Sequence, residues 1–301
     1  APVDMDPHTF SFAGFVSQQL EKNEGVSMLA AKAIQDWPLY NGQEASTRYL
    51  DFSQQPIYDP INNEITQPWL ARLMGLYQQA LPAVIEAVKR QRPIEDGENE
   101  SQYTKAVNAR AFDICRSLLP AGATTYVSWH TNLRQAADHI RVMLGHPLAE
   151  VRDTASSIHA SLLERYPSSF GHKKREAEAA FITASQALVA YARVEPEPFR
   201  FGVRLNFNSD ALMEYWPVIQ GRPKYAELPH QIRECGTITF KFPLDFGSYR
   251  DLQRQRSMIC PMPLLTLDYG MHPWYTNHLT NIRLPDGSPL LVKFAKLVAE
   301  L

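Results

Sequence analysis

The sequence predicts an α+β chain in which helices dominate the first two thirds and strand-like runs enter beyond residue 200. Apolar residues recur at helical spacing through 67–92 and again between 103 and 193. The segment EPEPFR at 195–200 breaks that texture, and Phe201–Asn206 and Gly236–Phe242 then alternate with period two. We therefore expect a helix-rich unit over 1–195 and a smaller mixed unit over 196–301.

Each element has its own signal. Val26–Ile34 (VSMLAAKAI) is apolar but too short to separate helix from buried strand, and Pro38, Asn41 and Gly42 end it. Pro68 suits a first helical turn. Leu70, Leu73, Met74, Tyr77, Leu81, Val84, Ile85 and Val88 then form one face of a helix over Gln67–Arg92, in which Pro82 predicts a kink or break. Residues 92–101 are a polar loop. A helix over Ala109–Leu119 ends at Pro120. Thr131 or Asn132 would cap a helix to about Leu144, closed by Gly145. Pro147 opens the next helix, with Val151, Ala155, Ile158 and Leu162 on one face, and another runs from about His172 to Arg193. Further on, a helix is expected over Gly247–Arg256, a proline-broken stretch over Cys260–Tyr275, and a helix over Leu290–Leu301.

Composition narrows the function classes. Thirty Lys+Arg against 32 Asp+Glu give a net charge of −2, without the basic excess that holds a nucleic acid polymer. Cys115, Cys235 and Cys260 are far apart and odd in number, which argues against a disulfide framework or a C-x-x-C zinc site and fits a reducing cytosol. Ala1–Phe10 lacks a basic leader, and no apolar run approaches the roughly 18–20 residues of a membrane span. A soluble, cytoplasmic protein is expected. The sequence has no G-x-G-x-x-G, Walker-type loop, G-x-S-x-G elbow or H-E-x-x-H, and His130, His139 and His146 are not spaced to converge on a metal.

Three arginine-bearing clusters remain. In an extended segment, Glu44, Ser46 and Arg48 would project to one side. Together they supply acceptor, hydroxyl and guanidinium for a uracil-like ring and its phosphate; a solvated strand edge with a Glu44–Arg48 pair is the alternative. Arg116 sits near a helix C-terminus, where the helix dipole alone would favour it. Asn132 and Arg134, at a helix start, either hold an anion or ribose or simply cap the helix. Arg250 and Arg254 are i,i+4 neighbours, a costly stacking unless an anion bridges them; a solvated arginine face is the alternative.

In family order, these segments resemble the flavin-dependent (alternative) thymidylate synthases, whose signature is R-H-R-x-x-S-x-N-E-x-S-x-R-Y. Its distal half is similar to Glu44-x-Ser46-x-Arg48-Tyr49, with Asp36-Trp37-Pro38 in the R-H-R position. The family's R-x-x-L-P resembles Arg116–Pro120, its N-x-R-x-L helix resembles Asn132-Leu133-Arg134, and its A-Q-x-E-I segment resembles His146–Val151. A family arginine falls on Met143, with Arg141 as the nearest candidate. The pattern restarts at RECGTITFKFPLDFGSYRDLQRQR, which leads into Arg254-Gln255-Arg256, with Cys235 where the family has a histidine.

The resemblance implies an internally duplicated relative, with one unit over 1–195 and a partial second over 196–301, and the complementing-protein fold of helix-rich units on antiparallel sheet. It implies binding of a dUMP-like nucleotide by Glu44, Ser46, Arg48, Arg116 and Arg141. It also implies binding of FAD by Arg254, Gln255, Arg256, Asn132 and Arg134, with methylenetetrahydrofolate and NADPH as co-substrates and no enzymatic nucleophile. The assembly implied is a dimer of pseudo-dimers. A non-catalytic nucleotide- or flavin-binding or assembly subunit, and a flavin enzyme acting on another pyrimidine nucleotide, are the alternatives.

Overall fold

The computed structural model describes residues 9–11, 25–172, 175–189, 201–255, 258–262, 265 and 269–300. In chain order the elements are β1 (Thr9–Ser11), β2 (Val26–Ser27), α1 (Met28–Gln35), β3 (Asn41–Glu44), α2 (Thr66–Gln91), α3 (Glu100–Cys115), β4 (Thr124–Thr125) and β5 (Val127–Asn132). There follow α4 (Leu133–Leu144), α5 (Ala149–Arg165), α6 (Pro167–Phe170), α7 (Glu176–Val189), β6 (Gly202–Phe207), α8 (Ser209–Glu214) and α9 (Trp216–Gln220). The last are β7 (Gly236–Lys241), α10 (Phe246–Leu252), α11 (Pro273–Leu279) and α12 (Leu290–Ala299). The chain is α+β, as expected, and among the described residues no helix is long and apolar enough to cross a membrane.

Local chemistry sets several boundaries. The ambiguous run at 26–34 resolves into a two-residue strand and a helix. The Ser27 Oγ caps α1 by accepting from the Ala30 N–H at 3.0 Å. Ser27 in turn donates both its N–H and its hydroxyl to Glu150, tying α1 to α5. Asn132 caps α4 as expected, accepting from the Gln135 N–H at 2.9 Å, and Gly145 closes that helix. Pro82 does not end α2, because Ala80 and Val84 on either side are anchored in the core.

Among the described residues every sheet is small and antiparallel. β5 lies between β1 and β3, with Asn41 opposite His130 and Glu44 opposite Val127. Its Val127, Trp129 and Thr131 are buried in alternation with more exposed neighbours, a period-two signal that runs up to the expected helix cap at Thr131 or Asn132. β2 pairs with β4, and β6 with β7.

Contacts divide the described residues into two compact units, one drawn from Ala1–Arg193 and Phe246–Leu301, the other from Val194–Asp245. The expected boundary near 195 therefore marks one edge of an inserted unit, and the chain returns to the first unit at 246. The return is secured by burial: Leu279, Leu290 and Leu297 join Leu73, Leu76 and Val107 in one core, and the Trp69 indole N–H donates to the Leu297 carbonyl at 2.9 Å. A second core gathers Ile34, Trp129, Ile140, Val151 and Leu162 from α1, β5, α4 and α5, together with Tyr249 from α10.

Candidate functional site

Glu44, at the end of β3, is the centre of a buried ion cluster. Its Oε2 lies 2.6 Å from the Lys32 Nζ of α1 and accepts from Gln35 Nε2 at 3.1 Å, while Oε1 pairs with the Arg250 guanidinium of α10. Lys32 also donates to Gln35 Oε1 at 2.7 Å, and Gln253 Nε2 donates to the Lys32 carbonyl at 3.1 Å. The Lys32 and Glu44 side chains are 0% and 4% exposed, so these charges persist only because each has a partner. Burial alone would push the Glu44 carboxyl up, but Arg250 and Lys32 outweigh it and hold the group below its ordinary pKa. At Lys32 burial prevails over the attraction of Glu44 and pushes the ammonium down.

The two cations occupy equivalent places. When Asp36-Trp37-Pro38 is set against Arg254-Gln255-Arg256, Lys32 falls opposite Arg250 and Gln35 opposite Gln253. Helices α1 and α10 then begin at matching residues, Met28 and Phe246. Two similar helices thus converge on one carboxylate. The repeated cation-x-x-Gln was readable in the sequence and would have located the cluster.

Toward solvent, a row of alternating charges joins three segments. Arg48 grips Asp113 with two nitrogens, at 2.9–3.2 Å. Asp113 lies 3.8 Å from Arg116, which donates to Asp251 at 3.2 Å, and Asp251 lies 3.9 Å from Arg254. Arg116 Nε also reaches the Tyr275 hydroxyl at 3.4 Å. Gly247, in the first turn of α10, permits this approach: a Cβ there would stand 2.6 Å from Arg116 Nε.

Several expectations change against this geometry. β3 stops at Glu44 and a 3₁₀ turn begins at Thr47, so Glu44, Ser46 and Arg48 do not share a strand edge. Glu44 points inward to the two buried cations; Ser46 and Arg48 stay exposed, and Arg48 pairs with Asp113 instead of Glu44. Arg250 is buried on Glu44, so the chain itself supplies the anion that relieves the Arg250–Arg254 stacking. Arg141 belongs elsewhere, pairing with Asp138 and Glu178, and Met143, in the place of the family arginine, is 1% exposed in the core. The side chain of Asn132 is engaged as a cap, and Arg134 is exposed in the first turn of α4. Helix α10 ends at Leu252, earlier than expected, leaving Arg254 in a turn and Gln255 exposed beyond it; Arg256 lies outside the described residues. A cleft of about 460 Å³ lies along α2, lined by Ile57, Asp59, Gln67 and Met74 among others, and holds none of the expected residues. Asp113 and Asp251, which link the arginines, were not foreseen.

Residues 19–168 match the family model described as thymidylate synthase complementing protein. Over these residues the chain belongs to that family. The match takes in α1 through α5, and with them Glu44, Ser46, Arg48, Asp113 and Arg116, so one side of the charged row is thymidylate synthase complementing protein sequence. Two proteins named UPF0159 protein are also similar. The one from Chlamydia muridarum (strain MoPn / Nigg) is 26% identical over 304 residues, and the one from Chlamydia pneumoniae is 25% identical over 303. Each alignment covers 82% of this chain and 57% of the relative, so the chain spans a little over half the length of these relatives.

Proposed function

We propose that the chain binds a pyrimidine nucleotide and FAD at the charged row. In this reading it is a flavin-dependent thymidylate synthase-like enzyme that reductively methylates dUMP to dTMP, with methylenetetrahydrofolate and NADPH as co-substrates. The observation that carries it is the continuous run Arg48–Asp113–Arg116–Asp251–Arg254, which brings the nucleotide-type motif into one row with the arginine of the second R-H-R-like segment. The donor set fits anionic ligands. Arg48 and Arg254 are half-exposed, and such pairs are worth only about 0–1 kcal/mol, so a phosphate making charge-assisted contacts of about 1.5–3 kcal/mol displaces Asp113 or Asp251 from them. The buried Arg250 Nε also has no partner among the described residues.

Arg48, Ser46 and Arg116 would meet the nucleotide, and Arg254, with Gln255 and Arg256 after it, would meet the flavin diphosphate. When bound, a flavin supplies hydride transfer. The side chains around it would position the nucleotide and complement its charge. Glu44 would act beneath, holding α10 against β3. The assembly would be a dimer of pseudo-dimers, working in the cytoplasm.

A second reading, a non-catalytic nucleotide- or flavin-binding or assembly subunit, is favoured by Met143 in the core and by Asp36-Trp37-Pro38 in the R-H-R position. A flavin enzyme acting on another pyrimidine nucleotide shares the same site. Purified protein carrying a flavin absorption band, whose reduced form is oxidised on adding dUMP and methylenetetrahydrofolate, is the result expected. Flavin binding without dUMP-dependent oxidation supports another pyrimidine; no flavin and no nucleotide binding overturns the enzyme reading.

A further inference from the structure

The unit formed by 201–245 carries a two-sided ribbon. In the antiparallel pair β6–β7, Val203 lies opposite Phe240 and Leu205 opposite Ile238. Alternation puts Val203, Leu205 and Phe207 on one face with Ile238 and Phe240, and the flanking Phe201 and Phe242 continue it. The other face bears Arg204, Asn206, Thr237, Thr239 and Lys241. The seven apolar residues are 37–67% exposed. A two-stranded ribbon is marginal in water unless its apolar side is covered, and a continuous apolar face of this size marks an interaction surface.

We propose that this face docks on the same face of a second copy of the chain, about a two-fold axis. The face carries no charge that would select a charged partner, and it is complementary to itself. Pairing two copies makes a four-stranded, two-layer sandwich with both polar faces outward. Four half-exposed phenylalanines and three aliphatic side chains offer on the order of 700 Å² per copy, close to the roughly 800 Å² per partner of a standard stable interface. The distribution of bulk also fits: Phe201, Phe240 and Phe242 cluster at one end, with centroids 6.2–6.3 Å apart for the pairs made by Phe201, and Phe207 stands at the other. Twisted sheets packed face to face diverge at their corners, where large side chains are needed.

The test uses the full chain. Sedimentation should show a dimer or a multiple of it, and Leu205→Cys should form a disulfide-linked dimer under mild oxidation, whereas Arg204→Cys, on the polar face, should not. Leu205→Lys with Ile238→Lys should weaken association at least about 100-fold, because unpaired charges would have to be buried. Leu205→Cys guards against a charge variant that fails to fold. A monomer at every concentration overturns the proposal, and so does association that ignores the lysines and gives no Leu205→Cys cross-link. A monomer would also remove the proposed dimer of pseudo-dimers, but neither result bears on the charged row that carries the nucleotide reading, which lies in the other unit.

Discussion

Helices α1 and α10 start alike and end differently. Each brings a cation and a glutamine to the Glu44 cluster, and each leads into a segment at the family's R-H-R position. After α1, that segment has turned to packing: Trp37 stacks on His139 at 4.7 Å, and His139 meets Trp129 edge-on at 5.0 Å. After α10, Arg254 and Gln255 remain polar and exposed beside Asp251. The segment after α1 is packed as scaffold, while Arg254 and Gln255 after α10 stay at the surface. One carboxylate anchors both helices, while the segments that follow them differ in burial.

The strongest way to break the comparison is to remove the shared anchor. Glu44→Gln leaves two buried cations without an anion and should cost about 3–5 kcal/mol, read as a lowered urea midpoint. Arg250→Met leaves the Lys32–Glu44 pair intact and should cost less. If α10 is held chiefly by that contact, amide exchange should rise over 246–255 and stay unchanged over 28–35. Equal exchange in both helices would mean that they are not independently anchored.

The packed segment after α1 should be sensitive to acid. Burial pushes His139 down to about 4, and the neutral ring donates from Nε2 to the Ile34 carbonyl at 2.8 Å. The unfolded chain therefore binds a proton between pH 6.5 and 4 that the folded chain refuses. Stability should be unaffected by this group above about pH 6.5, fall as the pH drops, and level off below about 4, for a loss of up to about 3 kcal/mol. His139→Asn should remove that part of the pH dependence of unfolding; an unchanged curve would refute the assignment.

On the exposed side, Arg48→Ala and Arg254→Ala should each weaken nucleotide binding to flavin-loaded protein by about 1.5–3 kcal/mol. The two effects should be non-additive in calorimetric titration if both residues act on one bound assembly. Additive effects would separate the two sides of the row. The smallest effect is expected from Gly247→Ala, whose methyl group displaces the Arg116 side chain: less than about 1 kcal/mol of stability, from loss of a partly exposed pair with Asp251. The nucleotide affinity should fall nonetheless, and an unchanged affinity would remove Arg116 from the site.

Much of the helical architecture was legible because its causes are local. Apolar period, the Asn132 cap, the Gly145 stop and the prolines act within a turn or two, and the α4 boundaries follow from them directly. β5 was missed although its alternation was present, since a capping asparagine at its end drew the reading toward the following helix. Arg116 and Arg48 were singled out for their chemistry, yet their carboxylate partners were not, because Asp113 and Asp251 are ordinary surface acids until the fold brings them near.

By itself the sequence determined the α+β class, the limits of α2, α4 and α12, the family-like motifs and the apolar and polar faces of β6 and β7, all set by spacing along the chain. The tertiary structure alone decided that residues 246–300 rejoin the first unit and that Glu44 serves as a buried counter-ion. The physical reason is distance: Glu44 and Arg250 are 206 residues apart. Nothing local to either records the partner that makes its burial tolerable, and a buried charge takes its role from whatever lies within a few ångströms.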